Sequence, residues 1–422
     1  MVKPAAKAAA ILIAVGITAL LTFAILVNFV VGVFSDERVS LSRDLLADGV
    51  AYAPNSAPLL ARLAAAEMRE EERDLSRAED YCTRAVRISP WDYRHRLLLA
   101  MIKEAEGDRI GAEQSLEDAL ALAPNYKDVH WRMANLLLRE GKLPRAVAEF
   151  RTATLSDISL LPATLDLLWR ASEGNVAVVR AATGNDPKSR LALAQFLLKQ
   201  SKTPEAVAEF GGIERNALEL PGRSAFIDAL MAQGHLAEAR ELWVGMVGGD
   251  SRETGSVGVW NGGFESEISG ILGQFDWAIT RNVYVTPGID TSIGHTGQRS
   301  LRLDFLGRDT TRVDGQVKQM IVVHPGARYR LEYFVKAQGL ATPEGPRVVL
   351  TDVTSSIEIA SSDPVAAGSY DWHRVAVEFA APPSARAVWV TIRRIPRFSY
   401  DDPTQGVVWF DDFTLSERAR IK

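Results

Sequence analysis

Few residues in this 422-residue chain have the types and spacing that chemistry needs. Its six histidines show no metal-ligand spacing, and no G-x-S-x-G elbow, Walker loop or G-x-G-x-x-G after a strand is present. His130 falls in a helical pattern and reads as packing. A glycosidase needs two carboxylates flanking a cleft. Asp411 and Asp412 are neighbours in a strand pattern, so alternation sends them to opposite faces and removes them as that pair. What remains is recognition chemistry. Sugar rings present flat C–H faces that pack on aromatic rings, while their hydroxyls take hydrogen bonds from charged side chains. In "AVWVTIRR", Val388, Val390 and Ile392 alternate against Trp389, Thr391 and Arg393. That alternation places an aromatic ring, a hydroxyl and a guanidinium on one sheet face. Trp277, Phe398 and Tyr400 are further aromatic candidates from neighbouring strands and loops. Single exposed aromatics are also common without function.

The elements that must position these residues lie at the end of the chain. From about residue 257 the pattern changes from alanine-rich helices to short alternating runs punctuated by Gly and Pro. "RSLRLDF", "YRLEYFVKA", "AVWVTIRR" and "VVWFDDFTL" all alternate with period two, which predicts two antiparallel sheets packed face to face. Trp409 reads as core.

Upstream, from Leu59 to Pro124 and beyond, the sequence repeats at a spacing of 34 residues. Ala66 recurs as Ala100 and Ala134, Ala78 as Ala112 and Ala146, and Ala85 as Ala119 and Ala153. Gly107 recurs as Gly141, and Pro90 as Pro124. A fixed period of this size predicts stacked supersecondary units. Each has room for two helices of three to four turns, with small residues where the helices approach and proline closing the second. The register breaks between Thr154 and Lys188, so five or six helix pairs are expected, one of them degenerate. Trp131, Trp169 and Trp243 sit at helical spacing and read as core.

Residues Ala8 to Phe34 carry no charge, more than the roughly 20 residues that a membrane span needs. Lys3 and Lys7 precede the run, and Asp36, Glu37 and Arg38 follow it. The positive-inside bias then predicts a cytoplasmic N-terminus, with the rest of the chain on the far side. The run is too long for a typical signal-peptide h-region and no A-x-A site follows closely, so an uncleaved anchor is the preferred reading. Net charge is −5 with no block of like charges, which gives no argument for nucleic acid, and the single Cys82 allows no internal disulfide.

Two resemblances follow from these motifs. The alanines, glycines and prolines of the 34-residue period resemble the tetratricopeptide repeat, and so does "GKLPRAVAEF" (141–150), which returns as "SKTPEAVAEF" (201–210) and "GHLAEARELW" (234–243). This resemblance implies a helical protein-binding surface. "NGGFE" (261–265), "GHTGQRSLRL" (294–303), "VHPGARYRLEYFVKA" (323–337), "YDWHRVAVEF" (370–379) and "VWFDDFTL" (408–415) occur in an order that resembles the jelly-roll carbohydrate-binding modules of the family four and nine type, within the galactose-binding-like sandwiches. That resemblance implies glycan binding on the sheet face of Trp389, Thr391 and Arg393, and a packing role for Trp372. It also implies a structural calcium between the opening segment and the last strand, with Glu265 and Asp411 or Asp412 at the matching places. The alternative is that these acids cap turns or pair with arginine.

The expected architecture is a multidomain α + β chain: a membrane anchor over residues 1–38, helical repeats over 39–249, a linker over 250–256 and a β-sandwich over 257–418. The expected function is a membrane-anchored, non-catalytic scaffold. Its repeats would bind a protein and its sandwich a glycan, which by analogy suits surface-polysaccharide export or assembly at a bacterial inner membrane, with the bulk of the chain in the periplasm. The alternative is a pure protein-assembly factor whose sandwich binds no sugar.

Overall fold

The computed structural model describes residues 4–36, 39–69, 73–214, 217–248, 257–268, 270 and 272–418. The chain divides into two compact units, Met1–Phe196 and Leu197–Lys422. The linker expected at 250–256 falls outside the described residues. The division lies earlier in the chain, so the last repeats belong to the same unit as the sandwich.

The first unit opens with α1 (Pro4–Ser35), whose stretch Ile13–Phe34 is long and apolar enough to cross a membrane. Its low amphipathicity fits a helix that is apolar on every side. Helix α2 (Arg43–Tyr52) follows, then the pairs α3 (Ala57–Glu67) with α4 (Leu75–Ile88), α5 (Tyr93–Glu106) with α6 (Arg109–Leu122), and α7 (Lys127–Arg139) with α8 (Leu143–Ser156). The repeating alanines do what their size suggests. Ala78, Ala85, Ala100, Ala112, Ala119, Ala134, Ala146 and Ala153 are all buried, whereas Ala66 in the first copy is only half-buried. Gly107 ends α5 in the left-handed conformation at φ 87°, a cap that glycine adopts without steric cost. Asp74, Asp92 and Asp108 each accept a backbone N–H in the first turn of the helix that follows. The broken register becomes a short 3₁₀ turn (Ile158–Leu160) leading into α9 (Leu161–Ala171) and the six-residue α10 (Val176–Ala181). Helix α11 (Pro187–Lys199) spans the division.

The second unit continues with α12 (Thr203–Gly211), α13 (Leu220–Ala232) and α14 (Leu236–Val247), and then, among the described residues, ten strands. These are β1 (Ala278–Ile279), β2 (Val285–Asp290), β3 (Ser300–Leu306), β4 (Val313–Val322), β5 (Arg328–Ala341), β6 (Arg347–Asp352), β7 (Glu358–Ser361), β8 (Gly368–Ala380), β9 (Ala387–Arg394) and β10 (Gln405–Arg418). They form two antiparallel sheets. One has the order β1-β4-β9-β6-β7 and the other β2-β3-β10-β5-β8. The inward set of every alternating run builds a single core from Leu301, Leu303, Tyr333, Val335, Val388, Val390, Ile392, Val408 and Phe410.

Helix α14 packs on this unit through Trp243, which is fully buried. Its indole N–H donates to the Leu272 carbonyl at 2.9 Å, and its ring meets Trp260 edge-on. Trp131 and Trp169, also expected in the core, are only half-buried, and each packs edge-on against a phenylalanine. His130 fits its packing assignment: it is buried, with Nδ1 2.6 Å from Glu149 and Nε2 2.8 Å from the Pro124 carbonyl.

Candidate functional site on the outer face of the β10 sheet

Strand β10 lies between β3 and β5. Its register sets Trp409 opposite Arg302 on one side and Lys336 on the other, with Asp411 opposite Phe334. Val408 and Phe410 point into the core, so Trp409 points out. It is nonetheless 2 % exposed, and it differs from the core reading in facing away from the sandwich interior. Its indole donates to Asp290 at 2.9 Å, and the Arg302 guanidinium lies 5.7 Å from the ring centroid. Arg302 also pairs with Asp304 at 2.9 Å.

One step along the same face stands an aromatic group. Phe334 on β5 is half-buried, and the imidazole of His295 lies on it at 3.6 Å between centroids. Trp372 on β8, also half-buried, meets the imidazole edge-on at 5.8 Å. Beside them Lys336 bonds Asp371 at 2.9 Å, which holds the Asp371 carboxyl below its usual range. The group thus sets ring faces beside paired hydrogen-bonding side chains.

The loop that carries His295 is tied down by the three acids considered for calcium. His295 N donates to Asp411 Oδ2 at 2.6 Å, and its Nδ1 lies 2.6 Å from Asp412 Oδ2. Thr296 Oγ1 donates to Asp412 Oδ1 at 2.7 Å, and the amides of Gln298 and Arg299 both reach Glu265 Oε1 at 2.9 Å. The expectation that Asp411 and Asp412 point to opposite faces is corrected here. A register shift after Asp411 and a φ of 50° at Asp412 form a bulge that turns both carboxylates to the same loop. Burial, with Asp412 alongside, pushes the Asp411 carboxyl up to about 6. Glycine is required at two contact points: a Cβ on Gly262 would lie 2.0 Å from the Phe413 carbonyl, and one on Gly297 would lie 2.2 Å from Glu265 Oε1.

Calcium needs six or more oxygens converging on one point. Among the described residues no group of three or more His, Cys, Asp or Glu is placed to hold a metal ion. Glu265, Asp411 and Asp412 surround Gly263, and their oxygens accept from N–H and O–H donors of the His295 loop.

The other sequence candidates lie elsewhere. Trp389, Thr391 and Arg393 do share the outer face of the β9 sheet, but Thr391 is buried and the Lys318 ammonium sits 4.5 Å over the half-buried Trp389 ring. Arg393 is paired with Asp314 at 3.1 Å and Glu358 at 3.3 Å. Met320 and Val322 point outward on the same sheet and are still buried, in the strand on which α14 packs. Trp277 is corrected outright. It is 2 % exposed, packs against Phe264 and Phe413 inside the core, and donates to the Asn261 carbonyl. Phe398 and Tyr400 are exposed, in the segment between β9 and β10. The sequence reading missed His295 and Phe334 and set Trp372 aside as packing. The alternation of "YRLEYFVKA" does put Phe334 on the outer face, opposite Leu331, Tyr333 and Val335.

The tetratricopeptide repeat family model matches residues 104–157. No curated protein matches the chain. Among solved structures, a CBM4 is 15 % identical, aligned over 38 % of this chain and 99 % of its own, with a TM-score of 0.29. The MamA protein is 14 % identical over 37 % and 83 %, with a TM-score of 0.31. A thermophilic TPR protein of Thermus thermophilus is 26 % identical over 31 % and 70 %, with a TM-score of 0.27. By the family match, residues 104–157 are tetratricopeptide repeats.

Proposed function

We propose that this chain is a membrane-anchored, non-catalytic scaffold whose repeats bind a protein and whose sandwich binds a glycan on the outer face of the β10 sheet. The observation that carries the glycan assignment is the group of Trp372, His295 and Phe334 beside Lys336 and Asp371. Stacked helix pairs are a protein-binding architecture, and α1 supplies an apolar span. A scaffold that holds a glycan and a protein at one membrane suits assembly or export of a bacterial surface polysaccharide, with the repeats and sandwich in the periplasm. The test is affinity electrophoresis of the full chain in detergent through gels containing bacterial polysaccharides. Retardation that disappears in Trp372→Ala supports the assignment. Retardation that disappears only in Trp389→Ala moves the site to the other sheet, and no retardation on any glycan favours a protein-assembly factor.

A further inference from the structure

We propose that the edge of the first repeats formed by the turns after α2 and α4, carrying Tyr52 and Trp91, lies on the lipid headgroup surface of the membrane that α1 crosses. The inference rests on the anchoring reading above and adds where the repeats sit relative to the bilayer.

The argument starts at the end of α1. Val31 and Phe34 pack into the core formed by Leu46, Val50, Leu59, Leu60 and Leu63. Arg62 on α3 donates to the carbonyls of Phe34 and Asp36, the latter at 2.8 Å, and so caps the end of α1 with a cation. The apolar helix therefore runs into the first repeat with no spacer. Val31 and Phe34 are taken by protein, and the uncharged run that precedes them begins at Ala8. Ala8 to Val30, at 1.5 Å per residue, is about 35 Å, enough to cross the hydrocarbon core of a bilayer.

Helix α2 then turns back beside α1. Its face Leu45, Asp48, Gly49 and Tyr52 and the α1 face from Phe23 to Phe34 line one apolar groove of about 290 Å³. Gly49 lets the Phe34 ring come close, since a Cβ there would lie 3.1 Å from it. The α2 terminus at Tyr52 thus points back towards the body of α1. The turns that follow α2, α4 and α6 share one edge, because each pair returns the chain to its starting side. Arg84 on α4 reaches the Pro54 carbonyl in the first turn at 3.4 Å, and the Tyr93 and Tyr126 rings of the next two lie 4.7 Å apart.

This edge carries residues that a water-facing turn does not need. Tyr52 is 87 % exposed and Trp91 84 %, and Ile88 is exposed beside Trp91. Trp and Tyr concentrate at the membrane–water boundary, where an apolar ring and a polar tip are both satisfied. Among the described residues, the turns on the opposite edge present Gly107–Asp108 and Gly141–Lys142, with Ile110 exposed beside the first but no exposed Trp or Tyr.

The experiment uses the full chain in phosphatidylcholine/phosphatidylglycerol vesicles, with a polarity-sensitive fluorophore on a single introduced cysteine. The sites are Tyr52→Cys, Trp91→Cys, Glu106→Cys on the opposite edge, and Ile17→Cys within α1. Native Cys82 is buried and its thiol is pushed up to about 12, so it stays unlabelled. Quenching by lipids with a nitroxide near the headgroup is the readout. The proposal expects Ile17 to be quenched, and positions 52 and 91 to be quenched at least about twofold more than position 106. Equal quenching at 52, 91 and 106 with Ile17 quenched overturns the proposal and leaves the anchor standing. No quenching at Ile17 overturns both.

Discussion

His295 lies 3.6 Å from Phe334, ring over ring with 14° between the planes, while its Nδ1 sits 2.6 Å from Asp412. A loop residue is thereby fixed against a strand residue by a carboxylate at a bulge. Asp412→Asn tests the charge in this link, because asparagine tolerates the left-handed backbone but weakens a charge-assisted bond. Glycan affinity should fall by about 1–2 kcal/mol, roughly 5- to 30-fold, with little change in melting temperature. Titration calorimetry on a glycan that retards the wild type checks this.

Asp411 should titrate near pH 6. Its neutral form is favoured in the fold, so the sign is that of a raised carboxyl. The favourable contribution is complete below the unfolded value near 4 and is lost as pH rises through about 6. The change is of the order of 2–3 kcal/mol. Carboxyl ¹³C NMR of aspartate-labelled protein should show one midpoint near 6, and a value at or below 4 would contradict the burial argument.

Arg394 and Asp402 form an ion pair in which both side chains are fully buried. The guanidinium also donates to the Thr311 carbonyl at 2.9 Å, and the carboxylate accepts Phe398 N at 2.8 Å. Burial alone would raise the Asp402 carboxyl, but Arg394 and the backbone amides outweigh it and hold the group below its usual range. Its contribution is therefore present above about pH 4 and is lost as pH falls through the depressed value. Asp402→Ala should cost about 3–5 kcal/mol in urea unfolding, because it strands a buried cation. The double variant Arg394→Met/Asp402→Leu should cost less than the sum of the singles.

Trp243 joins α14 to the strand-bearing part of its unit, so Trp243→Ala should cost about 3–5 kcal/mol. Unfolding followed by helical circular dichroism and by tryptophan fluorescence should separate into two transitions in the variant. Coincident transitions with unchanged midpoints would show that the contact contributes nothing.

The loop-facing oxygens of Glu265, Asp411 and Asp412 already accept from N–H and O–H donors, so the calcium expected between them is tested by stability. Melting temperature in millimolar Ca²⁺ and in chelator should agree, and a rise with Ca²⁺ would return the ion to Glu265, Asp411 and Asp412.

The repeats were legible because packing at a fixed period leaves a fixed trace. Ala100, Ala112 and Ala119 are small and buried where helices touch. The strands were legible for the same reason, since one buried face imposes alternation on "AVWVTIRR" and "YRLEYFVKA". Alternation separates inward from outward but does not say which outer face is open. Trp389 was placed correctly on its strand, yet its ring lies under Lys318. Trp277 lies outside any alternating run, so its burial left no trace. Asp411 and Asp412 misled because a bulge breaks the two-residue rule, and "FDDF" shows no sign of one.

The most direct measurement of the central claim compares Trp372→Ala with Trp389→Ala in the full chain, by affinity electrophoresis on a glycan that retards the wild type. The account predicts that retardation is lost in the first and kept in the second. Retardation kept in Trp372→Ala would contradict it.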